Sequence, residues 1–363
     1  MEICKMTRRE NLLRTLRREG YEKIPCDMPL TSTKRKEFRK KFPLRTISSY
    51  YDFSHRISAC LYRAGYKGNG RQLFAHLDLP DRFDVDPFGV GMSYGSKEAY
   101  HMCHFHSPLE GEHTTLEQIQ DYKLPTPIPG MEKMLKLFVK YCHSKGLAAM
   151  GYLDQTIWER SWLIRGMNDL MMDMMMDDDR ATCILDRITN HSCESGAILA
   201  RTGHDIIALG DDVGMQSTVM MNPELWRKWL KPRLTKVIRT IREENEEALV
   251  FYHSCGFIEP FIPDLIEIGV DILNPVQPEC MDFREIHRQY GDKISFWGGI
   301  GAQTTFPFGS TDDVRARVRE LIEICGEKGG IVISPAHELS PEVPWENQEA
   351  MLDEIRILNK TQH

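Results

Sequence analysis

The sequence predicts an α/β fold, a (β/α)8 TIM barrel formed by residues 1–363 as a single domain. Three observations carry this expectation. Short apolar runs alternate with segments of helical period, the pattern of a parallel sheet covered by helices. No glycine-rich phosphate loop follows the first run, as it would in an open dinucleotide-binding sheet. Polar side chains gather at the end of nearly every run, which is where a barrel assembles its site. A length of 363 residues suits one such barrel with insertions.

The elements follow in chain order. "MTRRENLLRTLRREG" reads as an N-terminal amphipathic helix, with Thr7 as its cap and Glu10 as the capping-box partner. It has no apolar core of the kind a signal peptide needs. The ten cysteines are scattered and show no framework spacing, so reduced thiols and a cytoplasmic location are expected. "KIPCDM" (Lys23–Met28) is the first strand. "TKRKEFRKKF" (Thr33–Phe42) is the densest basic run and reads as a solvated helix face. The aromatic-rich stretch Asp81–Gly111 breaks the rhythm and suggests a hairpin-like excursion or lid, and "LPTPIPG" (Leu124–Gly130) connects back. Six further strands are expected within Leu147–Thr156, Asp205–Gly214, Ala248–Gly256, Val270–Gln277, Lys293–Gly301 and Gly330–Glu338. That makes seven, and the eighth is sought between about residues 80 and 110. The Met-rich "MNDLMMDMMMDDD" (Met167–Asp179) reads as a buried helix rather than a cofactor box, because Met fills irregular gaps.

Charge and composition exclude several classes. The net charge is −7 with no basic stripe to replace phosphate counterions, so no nucleic-acid partner is expected. No window approaches the ~18 apolar residues of a membrane span.

The tripeptide His-Ser-Cys occurs twice. His191 and Cys193 lie in a helical pattern, where positions i and i+2 diverge, so they read as structural. His253 and Cys255 follow the buried run "ALVFY", where i and i+2 share a face. Imidazole and thiolate are good zinc ligands, and Gly256 permits a sharp turn behind them. A third ligand is needed. His337, just past the last strand, is the first candidate and Cys280 the alternative. Three protein ligands with one open position is the pattern of a catalytic zinc. "HMCHFH" (His101, Cys103, His104, His106) lies in the excursion and reads as pocket or lid packing. Asp211 and Asp212 end a strand, where they serve either acid chemistry or helix capping. Glu159 either reaches the mouth or pairs with Arg160 or Arg165. Gln216, Gln277 and Gln303 each follow a strand and suit hydrogen bonds to a small polar substrate. Tyr152 and Trp297 suit stacking on an aromatic one.

These residues carry a resemblance. "MTRRENLLRTLRREGYEKIPCD", "LGDDVGMQSTVMMNPELWRKWLKP", "HSCGFIEPFIPDLIEIGVDILNPVQ", "FWGGIGAQTTFPFGSTDDVR" and "GIVISPAHELSPEVPWEN" occur in the order of the uroporphyrinogen decarboxylase superfamily. The chain most resembles that superfamily's cobalamin-dependent methyltransferase branch, over nearly its whole length. The resemblance implies a (β/α)8 barrel and supplies the eighth strand. True decarboxylases carry a "PVWxMRQAGR"-like segment where this chain has "IPCDMPLTSTKRKEF". The methyltransferase branch binds zinc through His-x-Cys, matched by His253 and Cys255, and a later Cys, here replaced by His337. The implied activity is that of the methyltransferase I of O-demethylase systems. The methyl group of an ether, a methoxylated aromatic foremost, passes to the cob(I)alamin of a partner corrinoid protein. Zinc stabilises the leaving oxygen, and Asp212 or Glu159 protonates it. The corrinoid belongs to the partner, since no Asp-x-His-x-x-Gly attachment motif occurs here, and the partner docks at the barrel mouth. A thiol acceptor and a decarboxylation are the alternative chemistries, a scaffold without chemistry the alternative class. A second copy of the chain, as a homodimer, is a further candidate partner.

Overall fold

The computed structural model describes residues 6–94 and 103–361. Seven parallel strands form one curled sheet: β1 (His55–Ala59), β2 (Ala148–Leu153), β3 (Ile206–Gly210), β4 (Leu249–His253), β5 (Ile272–Asn274), β6 (Ser295–Ile300) and β7 (Ile331–Pro335), each hydrogen-bonded to the next. The segment expected as the first strand takes the eighth place through one parallel bridge, Cys26 to Ile333. Asp27 then faces His55 of β1, their side chains 4.0 Å apart. The TIM-barrel class therefore holds.

The missing strand is β1, not part of the 80–110 stretch. "HRISA" lacks a continuous apolar run, because only its first residue is buried, so period and composition give no strand signal there. The excursion is a small antiparallel sheet of Phe83–Val85, Gly91–Tyr94 and Cys103–His106. His101 lies outside the described residues. His104 and His106 pack ring against ring at 4.6 Å, and Ser93 meets the His106 ring at 3.0 Å.

Strand alternation builds two cores. One set of side chains points into the barrel: Ala148 and Met150, Ile206 and Ala208, Leu249 and Phe251 among them. The bottom is plugged by the helix Arg8–Leu16, whose Leu12, Leu13 and Leu16 join that cluster. Burying each leucine stabilises by about 1.5–3 kcal/mol. The Thr7–Glu10 capping box forms as the sequence predicts. The opposite strand faces pack on the surrounding helices.

The Met-rich helix Met167–Met175 is buried on one face only. Leu170 and Met174 are enclosed, while Met172, Met175 and the capping Met176 are exposed. No helix among the described residues is long and apolar enough to cross a membrane.

Candidate active site

The two His-Ser-Cys copies separate as helix and strand geometry require. His191 and Cys193 lie in the helix Asp179–Arg201, with His191 packed against Tyr62 and Phe88. Burial pushes the His191 imidazole down to about 4, the mark of a neutral core residue. His253 ends β4, follows Leu249 and Phe251 on the inner face, and is joined there by Cys255.

The third member of the cluster is Asp212. Ligand atoms of Asp212, His253 and Cys255 all lie within 4.8 Å of one another. Cys255 Sγ is 3.5 Å from His253 Nε2, which is 3.7 Å from Asp212 Oδ1. The Cys255 backbone N–H donates to Asp212 Oδ1 at 2.7 Å. His337 does not join this cluster, and neither does Cys280. β3 adjoins β4, so its end delivers Asp212 beside His253. β7 lies three places away, across the mouth, and its continuation turns outward to pair Leu339 with Leu30. His337 is left exposed on the cavity wall.

Two glycines allow the approach. Gly256 has φ +83°, and a Cβ there would meet Met215 O at 2.6 Å. A Cβ on Gly214 would meet Cys255 O at 2.5 Å, so the two ligand loops touch backbone to backbone. Gly210 plays a similar part at the end of β3, where a Cβ would come within 3.1 Å of both Asp154 Oδ1 and His253 Cβ.

Second contacts orient the ligands. Asn274, at the end of β5, accepts a hydrogen bond from His253 Nδ1 and donates through Nδ2 to the Trp297 carbonyl. That leaves Nε2 of His253 for a metal ion. Burial lowers the affinity of His253 for a proton, but the Cys255 sulfur, Asp212 and Asn274 outweigh it and raise its pKa to about 10. Sulfur, imidazole and carboxylate together favour a cation, and this donor set fits zinc.

The carboxylates differ in role. Asp211 is buried and accepts backbone N–H groups of Ile157 and Glu159 at 2.9–3.1 Å, capping the helix Trp158–Arg165. Burial pushes its carboxyl up to about 7 against those bonds. The capping alternative is thus the one realised, on a neighbouring helix. Glu159 stands behind the cluster, where its Oε2 accepts from the Asp212 backbone at 3.2 Å. Burial, then the charges of Asp212, Asp211 and Asp154, push Glu159 up to about 9.

Below the cluster opens a cavity of about 880 Å³ lined by Tyr152, Asp154, Phe251, His253, Trp297 and His337 among others. Tyr152 and Trp297, the two aromatics expected to stack on a substrate, both line it. The three glutamines do not line it. Gln277 accepts from the Gly256 N–H at 3.1 Å and braces the ligand loop. Gln216 and Gln303 are exposed on outer loops and both bond Glu279. The sequence reading missed Asp27, His55, Asp154 and Asn274. Asp154 and Asn274 carry the strand-end signal that singled out Asp212. His55 was hidden with its strand.

Residues 88–358 match the family model described as Uroporphyrinogen decarboxylase (URO-D). A search of curated protein sequences finds no significant match. Among solved structures, the chain is similar to a methyltransferase from Methanosarcina mazei, at 18% identity over 98% of this chain and 99% of that one, with a TM-score of 0.67. It is also similar to xylanase 10B from Thermotoga maritima, at 10% identity over 69% of this chain and 87% of that one, with a TM-score of 0.41. The Methanosarcina likeness bears on the fold, and the xylanase is too remote to add to it.

Proposed function

The chain belongs to the uroporphyrinogen decarboxylase family, and from that premise we propose that it is a zinc-dependent methyltransferase of cytoplasmic O-demethylation. It takes the methyl group of a methyl ether, with methoxylated aromatics foremost, and passes it to the cob(I)alamin of a corrinoid protein docked at the barrel mouth. The observation that carries this is the Asp212–His253–Cys255 cluster, whose His253 lines the cavity. A decarboxylase of polycarboxylates has no evident use for a thiolate-containing donor set.

Asp212, His253 and Cys255 would hold the zinc, with Asp212 in the place first assigned to His337. When bound, zinc supplies Lewis acidity that stabilises negative charge on the departing oxygen. Asn274 keeps Nε2 of His253 aimed at the ion. Tyr152 stacks on the substrate from the wall. The carbon–oxygen bond of the ether breaks as the methyl group moves to cobalt, and the oxygen takes a proton. Asp154 reaches the cavity next to His253, so it is the proton donor we favour, and Glu159 positions Asp212 from behind.

Metal analysis of the purified chain, followed by cobalt methylation of a reduced corrinoid protein with a panel of methoxyarenes, tests this. About one zinc per chain and methylation by at least one ether are expected. Absence of stoichiometric zinc, or no methylation across the panel, refutes it.

A further inference from the structure

The basic run Thr33–Phe42 plays no part in the proposed reaction, yet the fold sets it beside the cavity. Leu30 bridges Leu339, just past the end of β7, and the helix Ser32–Lys41 starts from there. The strand ends and the loops after them form the mouth of a barrel. Arg35, on this helix, lines the cavity together with Leu30, His337 and Glu338. The helix therefore stands on the rim of the mouth.

Its two faces differ. Lys34 and Phe38 are buried. Phe38 and the following Phe42 pack on Tyr50 and Trp345, with ring centroids 4.4–6.2 Å apart. Lys34 pairs with Glu37 at 3.0 Å, and the Lys41 ammonium lies over the Trp345 ring. The opposite face carries Arg35, Lys36, Arg39 and Lys40, all exposed and at helical spacing. Arg35 reaches Glu338 at 3.3 Å. Among the described residues, Lys36, Arg39 and Lys40 make no ion pair and no side-chain hydrogen bond. Just past the helix, Leu44 is 98% exposed.

This face works against its own helix. Arg35 and Arg39, and Lys36 and Lys40, are like charges at i and i+4 and repel. No acidic side chain in the first turn and no side-chain bond from Thr31 offsets them. Yet the chain as a whole carries a net charge of −7. A compact cationic patch on an acidic molecule steers an oppositely charged partner. A nucleic acid or an anionic membrane would extend past so small a patch onto the acidic remainder. A protein with one acidic face matches it, and Leu44 offers the apolar contact that a protein interface adds to its charges.

We propose that Arg35, Lys36, Arg39 and Lys40 form a docking surface for an acidic face of the protein that carries the methyl acceptor. Its place on the rim brings that partner over the cavity. That the partner carries cobalt rests on the function proposed above. The surface itself rests on its charge and its position.

Biolayer interferometry with the full chain tests this, the probe being the corrinoid protein of the methylation assay in its cob(II)alamin form. At about 150 mM salt, where screening acts over ~8 Å, the triple variant Lys36→Glu, Arg39→Glu, Lys40→Glu should bind at least about tenfold more weakly. The loss should lie mainly in the association rate. A control variant, Lys133→Glu, Lys136→Glu, Lys140→Glu, changes the net charge equally on the exposed face of the helix Met131–Ser144. It should stay within about threefold of the unaltered chain. No binding by the unaltered chain, undiminished binding by the rim variant, or equal losses in the two variants overturns the proposal. So does a rim reversal that abolishes binding to phosphatidylserine vesicles while corrinoid-protein binding stays intact. Rim-dependent binding with no cobalt methylation from any ether sinks the proposed reaction and supports the surface. Methylation at an unaltered rate by the rim variant, at subsaturating corrinoid protein, keeps the reaction and overturns the surface.

Discussion

Replacing Asn274 with Leu removes one acceptor and one donor without touching a candidate ligand. In the native chain Asn274 Oδ1 takes the Nδ1 proton of His253, and its Nδ2 donates to the Trp297 carbonyl. Leu has similar volume but leaves that N–H and that carbonyl unpaired. The His253 ring then no longer has its tautomer selected, so Nε2 carries the proton in part of the population and is unavailable to metal. Loss of an outer partner of a ligating histidine typically weakens metal binding about 10–100-fold, or about 1.4–2.7 kcal/mol. Competition for zinc with a chromophoric chelator measures this on stripped, refolded-checked protein. Asn274→Asp keeps an acceptor toward Nδ1 and should bind within a few fold of the unaltered chain. If Asn274→Leu is folded and binds zinc within about twofold, Asn274 does not orient His253 and the cluster's geometry has been misread.

Three further outcomes are expected. Asp212→Asn should lose stoichiometric zinc while His337→Ala keeps it, as read by metal analysis, and the reverse pattern would return the third ligand to the last strand. In the metal-free protein the raised pKa of His253 contributes stability that is full below about 6.5 and lost as pH rises through about 10. Thermal melts from pH 6 to 10 should therefore fall more steeply for the unaltered chain than for His253→Asn, and parallel slopes would rule this out. Gly256→Ala forces a side chain onto φ +83° and 2.6 Å from Met215 O, which should cost at least ~1–3 kcal/mol in denaturant unfolding and loosen zinc as well.

Legibility of the site followed the local signals. His253 and Cys255 were readable because an apolar strand with period two fixes which side both occupy, and the helical period set the other His-Ser-Cys copy apart. Thr7 and Glu10 were readable because a capping box is written within four residues. Strand β1 was not, since its residues face the cavity and a polar wall, and so lack the apolar run that marks a buried strand. Asp211 and Asp212 are adjacent in sequence with the same chemistry. Only the packing of β3 between its neighbours shows that one caps the helix after β2 and the other meets Cys255.

The sequence by itself determined the barrel, the end of it that carries the candidate site, and two members of the candidate metal cluster, because these depend on alternation along single strands. The tertiary structure decided that Asp212 rather than His337 stands beside His253 and Cys255, that Asn274 hydrogen-bonds the histidine, and that Asp27 faces His55 across 4.0 Å. Each of those depends on which strand lies beside which, and on how far apart their ends are held. That is a property of the curled sheet, and no stretch of the chain records it locally.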